Sequence, residues 1–183
     1  MRDKFLPILL FFLLMAAIPL GFLIQQNRTS PQPAASPDEA GDAPAAQAAG
    51  LCKNSFCDEA IRAVAILQRT NGAAGETAAQ QTNDISDKEL YIRVKRIFDS
   101  TKEILTYEGK AVRIPVTMAT DGSFRPAGGE AYLCAVASPW DCFSGETSGD
   151  GVSTTGLDHL CRQGLTAEEA LRWYLPKLTV KVQ

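Results

Sequence analysis

The chain has 183 residues, with 18 Lys and Arg against 21 Asp and Glu, and a net charge of −3 at pH 7. Such a near balance argues against nucleic-acid binding, because surfaces that bind nucleic acids are strongly basic. The chain also has a single histidine and no Cys-x-x-Cys motif. The sequence therefore predicts neither a metal site nor a cofactor.

Residues 5–24 form an uncharged and largely apolar run of 20 residues that follows Arg2 and Lys4. A helix of this length matches the thickness of a bilayer core. We expect an uncleaved transmembrane anchor at residues 1–24, with a cleaved signal peptide as the alternative. The basic residues before the run favour a cytoplasmic N-terminus. The rest of the chain is then predicted on the outer side of an inner membrane, in a bacterial periplasm. Cleavage would make it secreted or periplasmic.

Residues 25–50 are rich in Pro, Ala, Gln and Ser and contain no large apolar residue. Such a composition is typical of a disordered tether, since little surface can be buried to offset the entropy of ordering. Residues 51–183 have the usual size of one domain. The predicted organisation is an anchor, a tether and an exported α+β domain that contains disulfides.

Helical patterns recur in this domain. A helix is expected after Ser55 and ends near Asn71-Gly72, because apolar residues recur in between at helical spacing. The segment Ser86-Asp87-Lys88-Glu89 resembles a capping box. It predicts a long helix whose apolar stripe reaches Ile104 and Leu105 and which ends at Gly109. A short helix is expected around residues 157–163, and a second capping box at Thr166 opens another.

Strand patterns alternate with these helices. Residues 112–118 alternate between apolar and other side chains, and Asp121-Gly122 is a typical hairpin turn. Residues 131–137 and 178–182 are predicted as two further strands. The fold class is therefore α+β, with helices packed on one face of a small and mostly antiparallel sheet.

The five cysteines all lie in the predicted exported domain, where disulfides are the default state. Local spacing favours two pairs, Cys52 with Cys57 and Cys134 with Cys142. This leaves Cys161 as a free thiol or a bridge to another chain. The alternative is that Cys161 joins its helix to Cys52 or Cys57.

An enzyme is the less favoured interpretation. It would be an anchored envelope hydrolase or thiol enzyme that uses Cys142 or Cys161 with His159 and Asp158. On a helix His159 and Cys161 face different sides, since residues two apart do not meet. No catalytic residue is assigned on this evidence.

The favoured function is a non-enzymatic accessory or assembly subunit of a cell-envelope complex. It would attach to the membrane through residues 5–24 and dock on a protein partner through its exported domain. Residues 139–169 contain one basic residue, Arg162, against six acidic ones. The candidate residues for partner binding are Trp140, Asp141, Glu146 and Asp150, because tryptophan anchors interfaces and an acidic end attracts a basic surface.

Overall fold

A computed structural model of the chain describes residues 37–75, 87–126, 128–143 and 149–183. The predicted anchor at 1–24 and the first part of the tether, 25–36, lie outside the described residues. In the part of the chain that is described, no helix is both long and apolar enough to cross a membrane.

The described elements confirm an α+β fold. The helices are α1 Pro37–Gly50, α2 Asp58–Ala73, α3 Lys88–Ser100, α4 Thr154–Arg162 and α5 Ala167–Tyr174, with a 3-10 helix at Pro139–Phe143. The strands are β1 Glu103–Tyr107, β2 Lys110–Ala111, β3 Val116–Thr117, β4 Ser123–Phe124, β5 Val136–Ala137, β6 Val152–Ser153 and β7 Thr179–Val182.

Three small sheets take the place of the single predicted sheet. Strand β1 is central in an antiparallel sheet with the order β2-β1-β7. Strands β3 and β6 form a parallel pair, and β4 and β5 form an antiparallel pair. The hairpin predicted at Asp121-Gly122 is wrong, because the strands on either side of this turn pair with β6 and β5 rather than with each other.

Helix α2 is the centre of the core. It contacts β1, β2 and the helices α3, α4 and α5. It is therefore buried on several sides. Nine of its residues are buried: Ala60, Ile61, Ala63, Val64, Ala65, Ile66, Leu67, Thr70 and Asn71. A helix that is apolar on most of its surface is expected to be buried in this way.

The predicted helix starts are close to the observed ones. The N-cap of α3 is Asp87, one residue after the predicted Ser86, and it accepts a hydrogen bond from the Leu90 backbone N–H. Thr166 and Glu169 form the reciprocal capping box of α5. Helix α2 begins later than expected, after Cys57 rather than Ser55.

The end of α3 was predicted wrongly. The helix stops at Ser100 because Thr101 adopts an extended backbone, and residues 103–107 form β1. Ile104 and Leu105 do face the core, but from a strand whose three central residues are all buried. A short strand buried on both faces has a continuous apolar run, which cannot be told from a helical stripe by periodicity.

Helix α1 occupies the second half of the range predicted as a tether. Ala45, Ala48 and Ala49 are buried and belong to the core cluster. The spacing of these three alanines places small side chains on one face of the helix.

Asn71 joins α2 to the segment before β3. Its side-chain amide donates to the Ile114 carbonyl at 2.8 Å, and its side-chain oxygen accepts from the Ile114 N–H at 2.7 Å. The side chain thus satisfies both backbone groups of a buried residue, as a neighbouring strand would.

We predict that Asn71→Leu lowers the free energy of unfolding by about 2 kcal/mol or more, because two buried backbone groups lose their partners. Urea denaturation checks this. Gln68→Leu on the same helix is the matched control, since Gln68 is half-buried, and we expect it to change stability much less. Equal effects of the two substitutions would contradict the role given to Asn71.

Candidate functional site

A buried carboxylate organises the region where the 3-10 helix meets β6. Asp141 is only 3% exposed. Its Oδ2 accepts from the backbone N–H and hydroxyl of Thr120, at 3.1 and 2.7 Å, and from the hydroxyl of Ser138 at 2.7 Å. Its Oδ1 accepts from the hydroxyl of Ser153 at 2.8 Å. Four donors offset the cost of removing this group from water.

The hydroxyl of Ser153 also connects the carboxylate to α4. Ser153 is the N-cap of this helix, and its oxygen accepts from the Gly156 N–H at 2.8 Å. Asp141 therefore fixes the position at which α4 begins.

A second branch of hydrogen bonds leads from Asp141 to the surface. The single hydroxyl proton of Ser138 is donated to Asp141, so the Tyr174 hydroxyl donates to Ser138 over 2.6 Å. The Trp140 indole N–H donates in turn to the Tyr174 oxygen at 3.3 Å. Burial raises the pKa of Tyr174 to about 12, so the phenol stays protonated and keeps its proton for Ser138.

Three rings cover this network and form what we call the aromatic surface: Trp140, His159 and Trp173. The Trp140 and His159 rings are stacked, with centroids 4.8 Å apart and an interplanar angle of 13°. The Trp140 and Trp173 centroids are 6.1 Å apart and the planes are tilted by 51°. Trp173 is 49% exposed and His159 is also exposed. The rings come from the 3-10 helix, α4 and α5, so tertiary structure is needed to assemble them.

Trp173 is oriented by a hydrogen bond from its indole N–H to the Ala137 carbonyl, at 3.3 Å. Trp140 is oriented by Tyr174. Both indole rings are therefore held in fixed orientations by hydrogen bonds.

The structure separates the predicted partner-binding residues. Trp140 is half-buried and belongs to the aromatic surface, whereas Asp141 is buried and satisfied by internal donors. Asp150 is exposed and lines a cleft of about 230 Å³ together with Arg113, Arg125 and Glu130. Glu146 lies outside the described residues.

Most of the acidic groups in 139–169 that the structure describes have internal partners. Asp158 pairs with Arg162, Glu168 pairs with Arg172, and Glu169 closes the capping box of α5. Among the described residues of this range, internal partners therefore offset much of the acidic excess seen in the sequence.

All five cysteines are free thiols in the structure. Cys52 and Cys161 are buried, Cys57 and Cys134 are half-buried, and Cys142 is exposed. Desolvation raises the pKa of Cys52 and of Cys161 to about 12, which disfavours the reactive thiolate at both positions.

Each residue of the enzyme alternative contacts a different part of the structure. His159 stacks on Trp140, and Asp158 accepts from Arg162 and from the Cys57 backbone N–H. Cys142 lies against the Asp121 carbonyl, with 3.7 Å between sulfur and oxygen. Among the described residues, no group of three or more His, Cys, Asp or Glu side chains could hold a metal ion.

No family model matches this sequence, and no curated protein matches it significantly. The function proposed below therefore rests on the aromatic surface and on the buried hydrogen bonds beneath it.

Sequence patterns missed the residues that support this surface. Ser138, Ser153, Thr120 and Tyr174 are ordinary residue types without a shared motif. The one sequence feature that could have indicated this support is the adjacent pair Trp173-Tyr174 on α5, because neighbouring residues of a helix point in different directions. Trp173 is exposed while Tyr174 is fully buried.

We predict that Gly156→Ala lowers the free energy of unfolding by about 1–3 kcal/mol, as overpacking does. The added Cβ would overlap the Tyr174 hydroxyl and lie 2.5 Å from the Trp140 Nε1. Thermal unfolding followed by tryptophan fluorescence checks both stability and the setting of Trp140.

Gly72→Ala is the matched control for this substitution. Its Cβ would meet nothing within 4 Å, and alanine favours a helix over glycine by up to about 1 kcal/mol. Wild-type stability in Gly156→Ala would show that the network under Trp140 is not tightly packed.

Proposed function

We propose that this chain is a non-enzymatic, membrane-anchored accessory or assembly subunit of a cell-envelope complex. Residues 5–24 hold it in the membrane, and its exported domain docks on a protein partner through the aromatic surface. The partner offers apolar side chains that pack on Trp173 and on the edge of Trp140.

The observation that carries this proposal is the half-exposed indole of Trp173 beside the stacked pair of Trp140 and His159. Tryptophan is among the residue types that contribute most to the affinity of protein interfaces. Burial of these rings against a partner would remove apolar surface from water, at about 25 cal/mol per Å².

The rigid base of the rings gives further support. Trp140 is tied to Tyr174, and through Ser138 to the buried Asp141. A preorganised surface loses little side-chain freedom on binding, so more of the contact energy appears as affinity.

The enzyme alternative, an anchored hydrolase or thiol enzyme that uses Cys142 or Cys161 with His159, has less support. The imidazole of His159 faces an indole ring, and Cys161 is a buried thiol with a pKa raised to about 12. Neither arrangement provides an activated nucleophile.

We predict that Trp173→Ala weakens the complex with the partner at least tenfold, because a central aromatic anchor contributes about 2 kcal/mol or more. The full-length chain is extracted from membranes in mild detergent, and complexes are separated on a native gel. The control is Ile92→Ala on α3, because Ile92 is 57% exposed but lies outside the aromatic surface.

His159→Phe separates the two functional classes in the same experiment. Phenylalanine keeps a ring that can stack on Trp140 but has no titratable nitrogen, so a docking module should keep most of its affinity. A complex that survives Trp173→Ala, or that is lost equally with Ile92→Ala, would contradict docking through the aromatic surface. If the His159→Phe chain forms the complex but no longer complements a strain that lacks this protein, the enzyme alternative is favoured.

A further inference from the structure

The segment before α2 is clamped to helix α4 by a set of hydrogen bonds. The backbone N–H of Cys57, the N-cap of α2, donates to Asp158 Oδ1 at 2.8 Å. Asp158 Oδ2 accepts from Arg162 Nε at 2.6 Å, and Arg162 also donates to the carbonyl of Ser55. Residues 55–57 are thus held against one face of α4.

Cys161 lies on that same face. It follows Asp158 by three residues, and side chains at this spacing are neighbours on a helix. Besides burial, the thiol of Cys57 is near enough to contribute to the raised pKa of the Cys161 thiol. Cys57 and Cys161 are therefore neighbours between two elements that these hydrogen bonds hold together.

The other thiols have different surroundings. Cys142 lies against the backbone of Asp121. Cys52 is buried, and its charged form would be influenced by Arg93 and Asp158. Cys52 precedes Cys57 by only five residues, so it is a competing partner that the experiment has to distinguish.

We propose that Cys57 and Cys161 form a disulfide that joins the start of α2 to α4. This disulfide does not depend on docking to a partner, and its formation requires only a disulfide donor. The half-buried Cys57 attacks the donor disulfide as a thiolate, forms a mixed disulfide and releases one donor thiol. Cys161 then attacks the Cys57 sulfur and gives up its proton to the departing donor thiolate, which leaves as the second donor thiol. The raised pKa of Cys161 makes this second step the slower one. Two thiols are oxidised, and the donor disulfide is reduced to two thiols.

The disulfide closes a loop of about 100 residues, and a cross-link restricts the unfolded chain more when the loop that it closes is longer. It also fixes α4, the helix that carries His159 of the aromatic surface. Of the pairings left open by the sequence, this one joins two elements that the hydrogen bonds of Asp158 and Arg162 already hold together.

The test uses the full-length chain, purified in mild detergent with reductant and then exposed to oxidised glutathione. Remaining thiols are alkylated, and the chain is cut with trypsin and a glutamate-specific protease. Cys52 precedes Lys53, Cys57 lies between Lys53 and Glu59, and Cys161 lies between Glu146 and Arg162. The three thiols therefore fall in three separate peptides for mass spectrometry.

We expect a cross-linked peptide pair containing Cys57 and Cys161 that disappears on reduction, and a Tm that is several degrees higher in the oxidised chain. Cys161→Ser should abolish this difference in Tm, whereas Cys142→Ser should keep it. A cross-link of Cys52 with either thiol in place of the expected pair would overturn the proposal. So would full alkylation of Cys161 after oxidation.

Discussion

The buried carboxylate of Asp141 is the constraint on which the C-terminal half of the domain depends. It accepts hydrogen bonds from the segment before β4, from the residue before the 3-10 helix and from the N-cap of α4. A buried charge without these donors would be costly, so the donors have to be present together. The carboxylate thereby couples the placement of the 3-10 helix to that of α4, and the aromatic surface follows from both.

The N-terminal half depends on α2 in a comparable way. Its apolar residues fill the core, while Thr70 and Asn71 provide polar contacts to β1 and to Ile114. The Thr70 hydroxyl donates to the Ile66 carbonyl and accepts from the Leu105 N–H at 2.9 Å. One helix thus supplies both the apolar surface and the hydrogen bonds that position the central strand.

Local signals made the starts of α3 and α5 predictable to within one residue. Asp87 and Thr166 cap helices through side chains that act within three residues of their own position. The boundary between α3 and β1 was not predictable in this way, because Ile104 and Leu105 extend the apolar stripe of α3 while belonging to a buried strand. Strands β3 and β5 lie inside the predicted strands at 112–118 and 131–137, but both are much shorter than predicted. Strands β4 and β6 were not predicted, because two residues carry too little periodicity to reveal a strand.

The candidate site was predicted only in part. Trp140 was predicted as an interface anchor and lies in the aromatic surface. Its neighbour Asp141 was predicted with it but is buried and serves the fold. The difference arises because adjacent residues of a helix point in different directions, and the sequence does not show which one faces the core. The support of Trp140 by Tyr174, 34 residues later, is a tertiary contact that no local pattern encodes.

Docking through the aromatic surface is tested most directly by site-specific photo-crosslinking in the native membrane. A photoreactive amino acid is placed at position 173, and a second variant carries it at position 92 on α3. We predict that position 173 gives a cross-link to one defined protein and that position 92 does not. Absence of a cross-link at 173, or the same products from both positions, would contradict docking through Trp173.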